Sequence, residues 1–98
     1  MIMVNINNRI KELGSKIEEQ TERTMAAKEY MHRLKIRLTK LSEAYDDYMM
    51  TTCEYEAKRD SLMSSIEMQT DAWMYERNIL LELEDLMEDL LEQKGWTE

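Results

Sequence analysis

Residues 31–45, MHRLKIRLTKLSEAY, place Met31, Leu34, Leu38, Leu41 and Tyr45 at intervals of three, four, three and four residues. That alternation averages 3.5 residues, the spacing that keeps one side of an α-helix turned toward a partner helix over many turns. The same register runs toward the N-terminus through Ala27, Thr24, Gln20, Ile17, Leu13, Ile10 and Ile6. Toward the C-terminus it runs through Tyr48, Thr52, Tyr55, Arg59, Leu62, Ile66, Gln69, Trp73, Glu76, Leu80, Leu83, Met87 and Leu90. Nineteen of these 25 positions are apolar, against 23 of the other 73 residues, so the stripe is a coiled-coil seam and not a chance clustering.

Composition agrees. The 98 residues contain no proline and two glycines, and Gly14 and Gly95 bracket eighty residues with neither. A β protein of this size needs frequent turn residues, which are missing here. The expected fold class is therefore all-α, one helical domain spanning 1–98. No apolar run approaches the roughly 18 residues of a membrane span, and Met1-Ile2-Met3-Val4 is too short for the core of a signal peptide. The one cysteine, Cys53, excludes an intramolecular disulfide and points to a reducing compartment, the cytoplasm.

Charge sets the direction of pairing. Residues 1–40 carry nine Lys/Arg and five Glu, whereas 41–98 carry four Lys/Arg and sixteen Asp/Glu. Arg9, Lys16, Arg23, Lys28, Lys35 and Arg37 flank the seam, where charges choose partner and orientation. Antiparallel pairing sets the basic part against the acidic part, and parallel pairing sets acid beside acid. Two geometries satisfy this: a hairpin, or an unbroken rod paired with a second copy. A helix of eighty residues would run roughly 120 Å, so the hairpin is expected, with a helix over about 6–46, a turn within 46–53 and a helix over about 53–93. Thr51 with Glu54 fits a capping box for the second helix. Ser15 with Glu18 and Ser64 with Glu67 fit the same pattern, and a break at either would give three helices.

Seam quality varies. Ile6–Ile17 and Met31–Leu41 are narrow and aliphatic, whereas Ile79, Leu86 and Leu91 widen the stripe around Leu80, Leu83, Met87 and Leu90. A wide stripe contacts more than one neighbour. Leu80, Leu83, Met87 and Leu90 are thus the expected oligomer core of a homo-oligomer, a dimer of hairpins forming a four-helix bundle.

Residue types that carry chemistry are sparse. His32 and Cys53 lie 21 residues apart, too far on one helix for a nucleophile–base pair. Glu29 and His32 form the Glu-x-x-His pair of helical di-metal sites, but the register turns both away from the seam. No Gly-rich phosphate loop, paired zinc-ligand motif or nucleophile elbow occurs. No catalytic residue, metal or cofactor is expected. Met49, Met50, Tyr55, Met63, Trp73 and Met74 gather apolar side chains in the middle of the chain, the expected docking set for a protein partner. The acidic run Glu82, Glu84, Asp85, Glu88, Asp89 and Glu92 supports an alternative, a small inhibitor of the kind encoded by viruses or mobile elements that occupies a basic, nucleic-acid-binding site on another protein. A net charge of −8 argues against direct nucleic-acid binding. The leading expectation is a non-enzymatic protein–protein interaction module, an oligomeric coiled-coil adaptor or assembly factor.

Overall fold

A computed structural model describes residues 2–97, with side chains described for residues 5–95. Two helices form an antiparallel hairpin, α1 (Ile2–Asp46) and α2 (Thr52–Thr97), and no strand occurs among the described residues. Both helices are unbroken through the positions where a third helix could have started, Ser15 in α1 and Ser64 in α2. The chain divides into two compact units. Unit 1 pairs Met1–Met25 with Tyr75–Glu98, and unit 2 is Ala26–Met74, which contains the turn.

Burial follows the three–four register. Of the 25 seam positions, 23 are buried or half-buried, and the two exposed ones, Tyr48 and Thr52, lie where the chain reverses. Among the described residues, the six buried ones are all seam residues: Ile6, Leu13, Gln20 and Leu90 in unit 1, Met31 and Leu34 in unit 2. Burying a side chain such as Leu34, 4 % exposed, contributes about 2 kcal/mol. Gly14 faces the same seam: a Cβ built there would meet Met87 Cε at 3.8 Å, an ordinary contact.

The reversal is made without glycine. α1 closes with the Tyr48 N–H donating to the Tyr45 carbonyl and the Met49 N–H donating to the Ala44 carbonyl, both at 3.0 Å. This is the Schellman arrangement, which puts one residue in the left-handed region. That residue is Tyr48, at φ 59°. α2 then starts on Thr51, whose Oγ1 accepts from the Glu54 N–H at 3.2 Å while its carbonyl accepts from the Tyr55 N–H at 3.0 Å. Glu54 also stands in the first turn of α2, where the helix dipole favours an anion.

Tyr48 has a Cβ in a conformation that costs a non-glycine residue about 1 kcal/mol, and its side chain is 95 % exposed. Tyr48→Gly removes that cost and little packing. Chemical denaturation should show the variant more stable by about 1 kcal/mol, and a loss of stability would mean that Tyr48 makes a contact the fold needs.

Candidate interaction surfaces

The polar residues on the seam settle the register first. In unit 1 Gln20 is 5 % exposed. Its Nε2 donates both to the Glu76 backbone carbonyl, at 2.8 Å, and to the Glu76 carboxylate, at 2.5 Å. Both amide hydrogens are therefore used, on a residue 56 positions away in sequence. A slip of either helix would leave a buried amide without partners, which costs about 1–3 kcal/mol. Such a pair fixes alignment in the way a single polar seam residue does in a coiled coil. Thr21 and Thr24 turn their hydroxyls back onto the carbonyls of Ile17 and Gln20, and no buried side-chain polar atom lacks a partner among the described residues.

Unit 2 is closed near the turn by stacked rings. Tyr45 and Tyr55 lie 4.4 Å apart between centroids with planes 16° apart, and Tyr45 Oη is 3.0 Å from Thr52 Oγ1. The Arg59 guanidinium covers the Tyr55 ring at 5.6 Å and bonds Asp60 at 3.2 Å. The hydrogen bonds that Arg59 donates to the Asp60 carboxylate, and then the Asp60 charge, raise the Arg59 pKa above an already high value, so Arg59 stays cationic. Further along, Thr70 Oγ1 lies 2.7 Å from the Ile66 carbonyl and 3.2 Å from Met31 Sδ.

The expected docking residues do not gather on one surface. Met49, Met63 and Met74 are exposed, whereas Met50, Tyr55 and Trp73 are half-buried. Tyr55 is occupied by its stack on Tyr45, and Trp73 stands on the seam. Met63 borders two adjoining shallow grooves, one with Lys35 and Leu38, the other with Ser42 and Arg59. Met50 lines a groove on the opposite flank with Arg37, Ala44 and Lys58. Whether a residue falls on one flank or the other depends on its place beside the seam, which a count of methionines in the sequence does not contain.

In unit 1 the expected oligomer core has an intrachain neighbour. Leu90 is 6 % exposed, Leu80, Leu83 and Met87 are half-buried, and Met87 reaches Gly14 of α1. Among the described residues, the large apolar side chains of α2 that stay open there are Tyr75, Leu81, Leu86 and Leu91, between 45 and 66 % exposed. Leu86 lines a groove of about 280 Å³ with Arg9, Lys16 and Asp89, a grouping of charged and apolar side chains that the linear sequence does not reveal. All six residues of the acidic run are exposed.

His32 is exposed, and Glu29 is engaged by Arg33 at 2.8 Å, one turn along α1. No group of three metal-ligating side chains occurs among the described residues, and none of their helices is long and apolar enough to cross a membrane. Cys53 is a free, exposed thiol. Compared with protein-family models, curated proteins and solved structures, the chain matches none.

Gln20→Ala removes both donors from Glu76 and leaves a small void. Thermal or urea unfolding should show a loss of about 1–2 kcal/mol. Replacing the exposed neighbour Glu19 by Ala should change stability by less than about 0.5 kcal/mol. Equal effects at the two sites would show that the Gln20–Glu76 pair does not hold the register.

Proposed function

We propose that this chain is a non-enzymatic protein–protein interaction module that works as a self-associating helical adaptor or assembly factor. The observation that carries the reading is that the hairpin closes its seam and still leaves Leu81, Leu86 and Leu91 about half exposed on α2. A helix with apolar residues around most of its circumference is one that is covered on more than one side. The core is also thin: five apolar residues fall below one-tenth exposure, and no large side chain reaches full burial among the described residues. Small domains with so little core gain stability from association. Docking would run helix face to helix face, with apolar anchors supplying affinity and charges choosing the partner. Met49, Met63 and Met74 are the exposed anchors in unit 2. The exposed thiol of Cys53 supports a cytoplasmic setting.

The second reading, an acidic inhibitor seated on a basic site of another protein, is favoured by one observation. The six carboxylates from Glu82 to Glu92 are all solvent-facing and enter none of the ion pairs seen among the described residues. The readings separate on salt. Sedimentation velocity should give a mass above 11.8 kDa, a dimer first, changing little between about 0.1 and 0.5 M salt if apolar contacts dominate. A monomer at all concentrations removes the adaptor reading. A partner complex that dissolves steeply as salt rises supports the inhibitor reading instead.

A further inference from the structure

The turn interrupts the helix but not the seam. Tyr45, Tyr48, Thr52 and Tyr55 stand three, four and three residues apart, so the alternation enters the reversal and leaves it in the same phase. A hairpin has no need of that. Its loop can have any length, and only one phase in seven continues the pattern, whereas an unbroken helix requires that one. Residues 47–51 also contain neither glycine nor proline, and the left-handed position is taken by Tyr48, at φ 59°. Tyr48 and Thr52 are the two seam positions that the hairpin leaves exposed.

We infer that the hairpin opens at 47–51 into one continuous helix whose seam pairs with the seam of a second copy running the other way. In this exchanged dimer α1 of each copy lies on α2 of the other. The inference rests on the proposal that the chain self-associates, and it names the surface used, which is the seam itself.

The levels of the groups across the seam are what allow the exchange. In the hairpin, facing residues have numbers that add to about 100: Tyr45 stacks on Tyr55 and Met31 meets Thr70 in unit 2, and Gly14 faces Met87 in unit 1. Two unbroken helices set antiparallel about a two-fold axis at Met50 give the same rule, since each residue of one copy is then level with the residue of the other that completes that sum. The Tyr45–Tyr55 stack, the Thr70–Met31 contact and the Gln20–Glu76 hydrogen bonds therefore re-form between copies. The arrangement is two-fold and complementary to itself, as a closed dimer must be.

The losses are local to the turn: the closing bonds of the Tyr48 and Met49 N–H groups, the Thr51 cap and the Tyr45–Thr52 hydroxyl pair. Ordinary helix hydrogen bonds replace the backbone ones, and Tyr48 leaves the left-handed region. Tyr48 of one copy lies level with Thr52 of the other, so both open seam positions are covered. Charge does not choose between the forms, because a basic α1 meets an acidic α2 in each, and Asp46, Asp47 and Glu54 fall on outward positions of the unbroken register. Concentration chooses: the closed hairpin wins when copies are scarce and the exchanged dimer when they are abundant.

Two variants confined to the turn test this. After unfolding in urea and refolding at about 1 mM chain, the unaltered protein should contain a species of twice 11.8 kDa by light scattering. Small-angle X-ray scattering should give that species a maximum dimension of roughly 140 Å, against about 70 Å for a helix of 46 residues. Tyr48→Gly relaxes the closed turn and weakens a helix drawn through it, and each dimer contains two such sites, so dimerisation should weaken at least 100-fold. Thr51→Ala removes the cap of α2 and favours unbroken helix, so dimerisation should strengthen at least tenfold. Far-UV circular dichroism verifies that both variants remain helical. If the unaltered chain is monomeric at every concentration, self-association and the exchange both fall. If it dimerises but the two variants leave its affinity unmoved or shift it the other way, or if the dimer stays near 70 Å, the exchange is wrong and self-association stands.

Discussion

A buried amide that gives both of its hydrogens to one residue on the other helix aligns unit 1. Gln20 and Glu76 occupy seam positions that a purely apolar coiled coil would fill with leucine. Leucines would bury more area, but they tolerate sliding, because one aliphatic knob fits a neighbouring hole nearly as well as its own. Hydrogen-bond geometry does not slide: a displacement by one turn moves the partner by about 5 Å and breaks both bonds. The levels of all other groups in that unit follow, including Gly14 against Met87 and the charged strips flanking the seam.

Two helices alone have a packing limit that accounts for much of the surface. Each helix can hide only the residues pointing at its one neighbour, so flanking positions are half open by geometry whatever occupies them. Where those positions hold small or polar residues, as with Gly14, Thr21, Ser42 and Ser65, the hairpin is complete in itself. Where they hold Ile79, Leu86 and Leu91, apolar area is left in contact with water at about 25 cal/mol per Å². In unit 1 the large apolar flanking residues, Ile79, Leu86 and Leu91, are on α2, whereas α1 flanks the seam with small residues such as Gly14 and Thr21 and with the cations Arg9, Lys16 and Arg23.

The seam was readable from the sequence because its period depends on α-helix geometry alone. Every position from Ile6 to Tyr45, and from Tyr55 to Leu90, is at least half-buried. The helix start at Thr51 was readable too, since a hydroxyl three residues before Glu54 has a local reason to be there. The left-handed residue was not. Its usual marker is glycine or asparagine, and here a tyrosine takes the conformation because the six-residue closing pattern of α1 must be completed whatever residue falls there. The pairing of Gln20 with Glu76 was hidden for another reason. Both are visible as polar seam residues, but which one faces which depends on where the turn falls to within a residue. The methionines show the same limit from the other side: Met50 and Met63 are near in sequence and line grooves on opposite flanks.

Charge segregation does two things in this chain with one pattern. Within the hairpin it sets a basic α1 against an acidic α2, and the reversal of direction at residues 47–51 is what brings them side by side. The pairing does not consume the charges, because flanking side chains at full exposure gain little from one another in water. On the flank that holds the groove, Arg9, Lys16 and Arg23 alternate along α1 with Glu12 and Glu19, and α2 carries Glu82 and Asp89. In the inhibitor reading proposed above, Glu82 and Asp89 with the other carboxylates up to Glu92 would meet the basic site.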